Sequence, residues 1–368
     1  MKGQWFGTYE GSNKGKIVVE LDERDTFFAG IAYLFDENPN LPSIGGIIVT
    51  NDKSPVQKIN VTPVPLQRLT GNFSNWREEA QYYPGTRFPT EADVSISFSS
   101  HELNIDWKTD IETFGKAELK RTDSSRPSDL QAVQVSSWKQ FKEFASDFPP
   151  DQLVFRGQEK SASWRLRTHF HRNGRYDLNK FRNTDIPQLY RATIQVSEHK
   201  FNMLDPDEVG SFYSLVQHHG YPTPLLDWSY SPYVAAFFAY STLPKQHPHT
   251  DETVRIFVFD AKAWIDRFQQ VVRLGGVLPH FSVLHPLGYG NARIVAQQGM
   301  STLTNVDDIE EYIKGKEVEA GRLFLSAVDL PVSARNQVMG DLALMGITAA
   351  SLFPGVDGVC KYLREKLF

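Results

Sequence analysis

The chain has 368 residues, of which 40% are hydrophobic and 23% charged, and carries a formal net charge of −5. That balance belongs to a folded globular chain of two or three domains, and it excludes a general affinity for nucleic acid or anionic membrane, which needs an excess of Lys and Arg. The one cysteine, Cys360, excludes an internal disulfide and a multi-cysteine zinc site.

No apolar run reaches the roughly 20 residues that span a bilayer. The start, Met1 to Gly7, lacks the apolar core of a signal peptide. These features predict a soluble protein of the reducing cytoplasm, with no membrane partner.

Residues 1–122 read as strands. Ile17–Leu21, Phe28–Leu34, Gly46–Val49 and Val94–Phe98 are short and rich in β-branched or aromatic residues. Val94, Ile96 and Phe98 alternate with polar neighbours, the period of a strand with one wet face. Turn residues separate these runs: Gly11 to Gly15, Asn38-Pro39, Asn51-Asp52 and Pro84-Gly85. An antiparallel barrel or sandwich follows, acting in recognition or regulation. Trp5, Tyr9, Trp76 and Trp107 are expected in its core, with a groove lining as the alternative.

Residues 123–150 read as a linker and a helix. Thr122 to Asp129 is polar and contains Pro127. Ser136 or Ser137 can cap a helix whose Trp138, Phe141 and Phe144 recur at helical spacing, and Pro149-Pro150 ends it. The second domain, 151–368, begins with the strand Leu153–Gln158. A mostly helical stretch runs to about residue 216, followed by a polar loop and an apolar helix through Tyr240. Strands are expected at Val254–Phe259, Ala292–Gly299 and Arg322–Leu325. A helix over Ala334–Met345 ends at Gly346, a turn covers Phe353–Gly358, and a terminal helix closes the chain.

The densest run is Gln217-His218-His219-Gly220-Tyr221-Pro222-Thr223-Pro224-Leu225-Leu226-Asp227-Trp228-Ser229. A constrained polar loop feeding a buried helix is a common way to build a site. Asp227 can cap the helix beginning near Ser231 or hold His219 in one tautomer. His218 and His219 can supply a general base or bond within the loop. They are adjacent, so both cannot easily bind one ion, and no metal is expected. Arg156 can pair structurally with Asp227 across neighbouring strands. His169, His171, Arg165, Arg167 and Arg172 form a basic cluster able to meet a phosphate, though such clusters more often form a solvated face. Cys360 has no paired His in view and is not read as a nucleophile.

Four segments in order resemble the FRG domain, a family named for its Phe-Arg-Gly motif. They are Phe155-Arg156-Gly157-Gln158 with Trp164 and Leu166; the Gln217–Trp228 run continuing through Ser231-Pro232 to Ala239; Ala296-Gln297-Gln298-Gly299; and Gly346-Ile347 with Leu352-Phe353-Pro354 and Asp357-Gly358. The resemblance spans about residues 151–360. One departure is Pro224, where the family usually has an arginine.

At a coarser level FRG domains resemble ADP-ribosyltransferases, which implies an α+β fold with a split sheet and NAD as substrate. Under that resemblance Arg156, Gly157, Gln158, Ser229, Ser231 and Asp227 would bind the cofactor. Arg156 and Gln298, joined by His219 as the loop's candidate general base, would carry catalysis. The slot implied for a catalytic Glu holds Gln298, which can bond a ribose hydroxyl but brings no charge to an oxocarbenium-like transition state. Glu317-Val318-Glu319 matches the superfamily's Glu-x-Glu in letters but lies in an expected loop before the wrong strand.

Two functions follow. One is an NAD-dependent transferase or hydrolase of a toxin or phage-defence kind. The other is a non-catalytic sensor binding a nucleotide-like molecule or a protein. A protein target or regulator is expected at the N-terminal β domain.

Overall fold

The computed structural model describes residues 1–121, 123–161, 163–245 and 252–368. Nine antiparallel strands form the N-terminal unit: β1 (Gly3–Gly11), β2 (Gly15–Glu23), β3 (Phe28–Asp36), β4 (Ile44–Val49), β5 (Val56–Val61), β6 (Pro63–Pro65), β7 (Ala92–Phe98), β8 (Glu102–Thr109) and β9 (Phe114–Lys120). Their order, β5-β7-β8-β9-β1-β2-β3-β4-β6, curls into a nearly closed barrel. Inward residues alternate with outward ones, as a barrel requires. Trp5, Val19, Leu21, Leu103 and Leu119 fill one end completely. Tyr9 is buried as well, and its ring meets Trp107 edge-on at 5.6 Å. Trp76 instead stacks on Phe88 outside that core.

The second unit is a seven-stranded sheet with helices on both faces. Its strands are β10 (Ala132–Gln134), β11 (Leu153–Gln158), β12 (Leu225–Ser229), β13 (Thr253–Asp260), β14 (Phe281–Leu284), β15 (Gly299–Thr304) and β16 (Leu325–Pro331), in the order β10-β16-β13-β11-β12-β15-β14. Among the described residues only β10 and β16 pair in parallel. One face places Phe155, Ile256, Val258, Val328 and Leu330 against the Pro232–Tyr240 helix. The other gathers Val154, Leu226, Trp228, Phe257, Phe259 and Trp264. Strands buried on both faces read as continuous apolar runs, which is how β13 looks in sequence.

The sheet narrows at one seam. Strand β11 pairs with β13 over six residues, but with β12 only through Phe155 and Ser229. The two strands part beyond that pair, and the opening sits at the middle of the sheet.

Several expectations are corrected. Ala292–Gly299 is not a strand: Ala292–Ala296 is a short helix, and the strand starts at Gly299. The Arg322–Leu325 strand begins instead at Leu325. Residues 217–229 are not one loop, because Leu225–Ser229 is a central strand. The terminal helix starts at Val356, inside the expected turn. The polar 123–129 segment is no free linker: Ser124 donates to Asp307 at 2.6 Å and Ser128 to Glu310 at 2.7 Å. Thr122 lies outside the described residues.

The barrel is clamped to the second unit through β1 and β2. Buried Asp22 accepts from Arg175 Nε (2.6 Å) and from the backbone N–H of Tyr176 (2.6 Å) and Asp177 (3.1 Å). Gln4 donates to Glu20 (2.9 Å) and accepts from the Asp307 N–H (2.9 Å). Buried polar groups at such a junction must be paired, because each lost partner leaves a desolvated group.

Candidate functional site

The Phe-Arg-Gly segment divides its labour by strand alternation. Phe155 enters the core beside Phe148, with ring centres 5.2 Å apart. Gly157 faces the Pro232–Tyr240 helix so closely that an added Cβ would collide with the Ala235 carbonyl oxygen. Gly157 is therefore a packing glycine on that face. Arg156 reaches across the seam, and its Nη1 donates to the Asp227 carbonyl at 2.6 Å. Its Nε is buried without a partner among the described residues.

The remaining motif segments lock together around this seam. Ser229 Oγ donates to the Gln297 carbonyl (2.7 Å) and accepts from the Ser231 N–H (3.0 Å). Ser231 Oγ caps the Pro232–Tyr240 helix through the Val234 N–H at 3.2 Å. That cap was one expectation for Asp227, and the structure gives it to Ser231. Gln297 Nε2 donates to the Leu352 carbonyl at 3.0 Å, and Phe353 meets Phe238 edge-on at 5.9 Å. Gly358 is required because a Cβ would strike the Phe353 carbonyl. All four motif segments thus touch, and much of their letter pattern records packing.

The loop histidines follow the same logic. His218 Nδ1 meets Asn291 Oδ1 at 2.9 Å, and its carbonyl accepts from Arg293. His219 is exposed at the C-cap of the Pro206–His218 helix and holds no bond to Asp227 among the described residues. Gly220 follows at φ +92°, the usual helix exit. Gln298 is exposed in a tight turn at φ +49°, where its carbonyl accepts from the Tyr230 N–H at 2.9 Å. Its place in the structure is set by its backbone. Gln158 is half-buried at the end of β11. The Glu317-Val318-Glu319 run is helical, not loop. Glu317 is buried and caps the Phe324 and Leu325 N–H groups at 2.6 and 2.8 Å, while Glu319 pairs with Lys316 at 2.7 Å.

The basic cluster separates into two groups. Arg165 is buried against Asp308 (2.8 Å), Asp129 (3.1 Å) and Glu310 (3.4 Å). Arg167 pairs with Asp307 at 2.6 Å, and His171 is buried beside Thr168 at 2.8 Å. These three hold the fold and are not a solvated face. His169 and Arg172, one turn apart on the His169–Arg172 helix, share the neighbourhood of Arg156 and Asp227. Thr168 caps that turn, and an i,i+3 spacing places 169 and 172 on one side, a signal present in the sequence.

The electrostatics of this group are those of crowded cations. Burial lowers the Arg156 pKa while Asp227 pulls it back up. Loss of solvent, then Arg156 and Arg167, draw Arg172 down to about 10, and Asp227 again opposes. Arg172 is exposed overall, so screening weakens this effect. Burial and Arg172 together lower His169. Arg172 lies over the Trp164 ring at 5.0 Å. Asp227 is half-buried, and its Oδ1 accepts only a long 3.4 Å bond from Ser301. Ser301 was missed as a member of this group; it is found only through the β12–β15 register, which places it opposite Asp227. Two arginines, a histidine and one carboxylate thus gather near the β11–β12 seam, with the Ser301 hydroxyl beside the carboxylate. No group of three or more His, Cys, Asp or Glu able to hold a metal occurs among the described residues.

No curated protein matches the chain. A solved redesigned beta barrel is similar over 33% of this chain and 91% of its own, at 12% identity and a TM-score of 0.23, too low to bear on the argument. No helix is long and apolar enough to cross a membrane among the described residues. The family model of the FRG domain matches residues 151–247, the stretch that holds Arg156, His169, Arg172 and Asp227, and the chain therefore contains an FRG domain.

Proposed function

We propose that the seam between β11 and β12 binds a phosphate-bearing, nucleotide-class ligand, with NAD as the candidate. The observation that carries this reading is the buried Arg156 Nε, left without a hydrogen-bond partner among the described residues, where Arg172 adds repulsion and half-buried Asp227 attraction. An anion relieves such repulsion, and a planar guanidinium grips phosphate at two points. Asp227 and Ser301 are suited to accept from or donate to ribose hydroxyls.

The second reading is NAD cleavage. Asp227 favours it as the carboxylate beside the arginines, able to stabilise positive charge at the ribose C1′. Nicotinamide would leave with the glycosidic bonding pair, and water or an acceptor would add to C1′. The exposed Gln298 and His219 lend this reading no charge at the seam.

Calorimetric titration with NAD and ADP-ribose tests binding, and nicotinamide release in the same samples tests cleavage. Binding that is lost in Arg156→Ala and weakened in Arg172→Ala, each shown to be folded, supports the ligand site. Absence of heat with both ligands overturns it.

A further inference from the structure

The N-terminal barrel is filled at one end and hollow at the other. Around Trp5 the interior is solid, but towards Tyr9 and Trp107 it encloses a cavity of about 160 Å³. The walls are apolar, with Ile17, Leu34, Ile48, Val94 and Ile105 among them. The space exists where two inward positions carry little side chain, Ala32 and Ala92. Packed interiors rarely leave room for more than a water molecule, and a large void forfeits contact energy all round its lining. An apolar cavity of roughly 150 Å³ stays dry and accepts a benzene-sized molecule.

The mouth adds a directional feature. Arg87 and Asp36 are the charged residues on the cavity lining. Asp36 is already satisfied: Oδ2 accepts from the Tyr9 hydroxyl at 3.0 Å and Oδ1 from the Asn38 N–H at 2.8 Å. Arg87 is exposed beside the opening and forms no ion pair among the described residues. Its neighbour Phe88 is anchored by stacking on Trp76, with ring centres 4.4 Å apart and planes at 14°. The segment that presents Arg87 is thus held at the rim by an aromatic pair, not left to swing. The polar groups deeper in the lining are spoken for, since Thr109 and Thr113 bond to each other at 2.7 Å.

We propose that the barrel binds a small apolar molecule with an anionic end, its hydrocarbon body in the cavity and its anion at Arg87. An aromatic or branched aliphatic carboxylate has this shape. Apolar walls supply the attraction, and one charged group at the rim fixes orientation, the usual division in a small-molecule site. This inference is independent of the nucleotide reading at the β11–β12 seam.

The test is calorimetric titration of the full chain with phenylacetate, toluene and phenethylamine, which share a ring but differ in charge. Phenylacetate is expected to bind most tightly, with phenethylamine weakest. Arg87→Ala should weaken phenylacetate by about fivefold, the scale of a rim ion pair, and leave toluene unchanged. Ala92→Leu, which fills the void, should abolish binding of both while circular dichroism stays that of the parent. Should Ala92→Leu fail to fold, Arg87→Ala still decides the matter, because that residue is exposed. No heat with any of the three ligands overturns the cavity site. Equal binding of phenylacetate and phenethylamine, or phenylacetate binding unmoved by Arg87→Ala, overturns the anionic assignment.

Discussion

Glu20 offers the sharpest energetic test of how the barrel is held to the FRG domain. Its side chain is 3% exposed, accepts from Gln4 at 2.9 Å, and has the carboxylates of Asp177 and Asp22 for neighbours. Burial first, and then those like charges, raise its pKa to about 8 against the bonds that lower it. The folded state therefore keeps a proton that the unfolded chain releases near pH 4.5. Where the native state binds more protons, stability falls as pH rises, by about 1.4 kcal/mol per unit. The loss begins near pH 4.5 and levels off above about pH 8. Glu20→Gln removes this titration while keeping the shape of the neutral acid. The stability difference, variant minus parent, should grow by roughly 3 kcal/mol from pH 5 to pH 8. Other groups, including the buried histidines His171 and His280, titrate in both proteins and cancel in the difference. Urea denaturation at stepped pH measures it. A difference that stays constant across that range would refute the claim that Glu20 is buried as the neutral acid.

Three further outcomes follow from the packing. His171 and His280 are both drawn down to about 4 by burial, so each is neutral in the folded protein; stability should fall as pH drops from 6.5 towards 4, and His171→Gln should flatten part of that slope in the same denaturation series. Gly157→Ala should destabilise by about 3 kcal/mol, because the new methyl meets the backbone of the Pro232–Tyr240 helix; thermal melting of the variant checks this, and an unchanged midpoint would contradict the close approach. Glu317→Ala should cost about 1–3 kcal/mol by freeing two buried N–H groups, yet leave any nucleotide affinity intact; a loss of affinity without loss of stability would contradict this structural role.

The sequence by itself determined the barrel's class, the helix at Trp138 and the order of the FRG segments, because alternation, caps and short motifs are local patterns. Val94, Ile96 and Phe98 could be set on one face of a strand from their neighbours alone. Tertiary structure decided which charges remain free. Arg165, Arg167 and Arg172 look alike in the chain, yet Asp308 and Asp307 claim the first two from 140 or more residues away. The strand at Leu225–Ser229 was hidden in a Pro- and Gly-rich run because its pairing partners, β11 and β15, are distant in sequence. The same holds for Gln298, whose letters suggested chemistry and whose left-handed turn gives it a structural place. Motif letters report both packing and function, and only the contacts made by each side chain separate the two. Gly157, Ser229, Ser231 and Gln297 make packing and capping contacts, while Arg156 and Asp227 meet at the seam between β11 and β12. The physical reason is that an ion pair or a close backbone approach depends on distance in space, which no short stretch of sequence encodes.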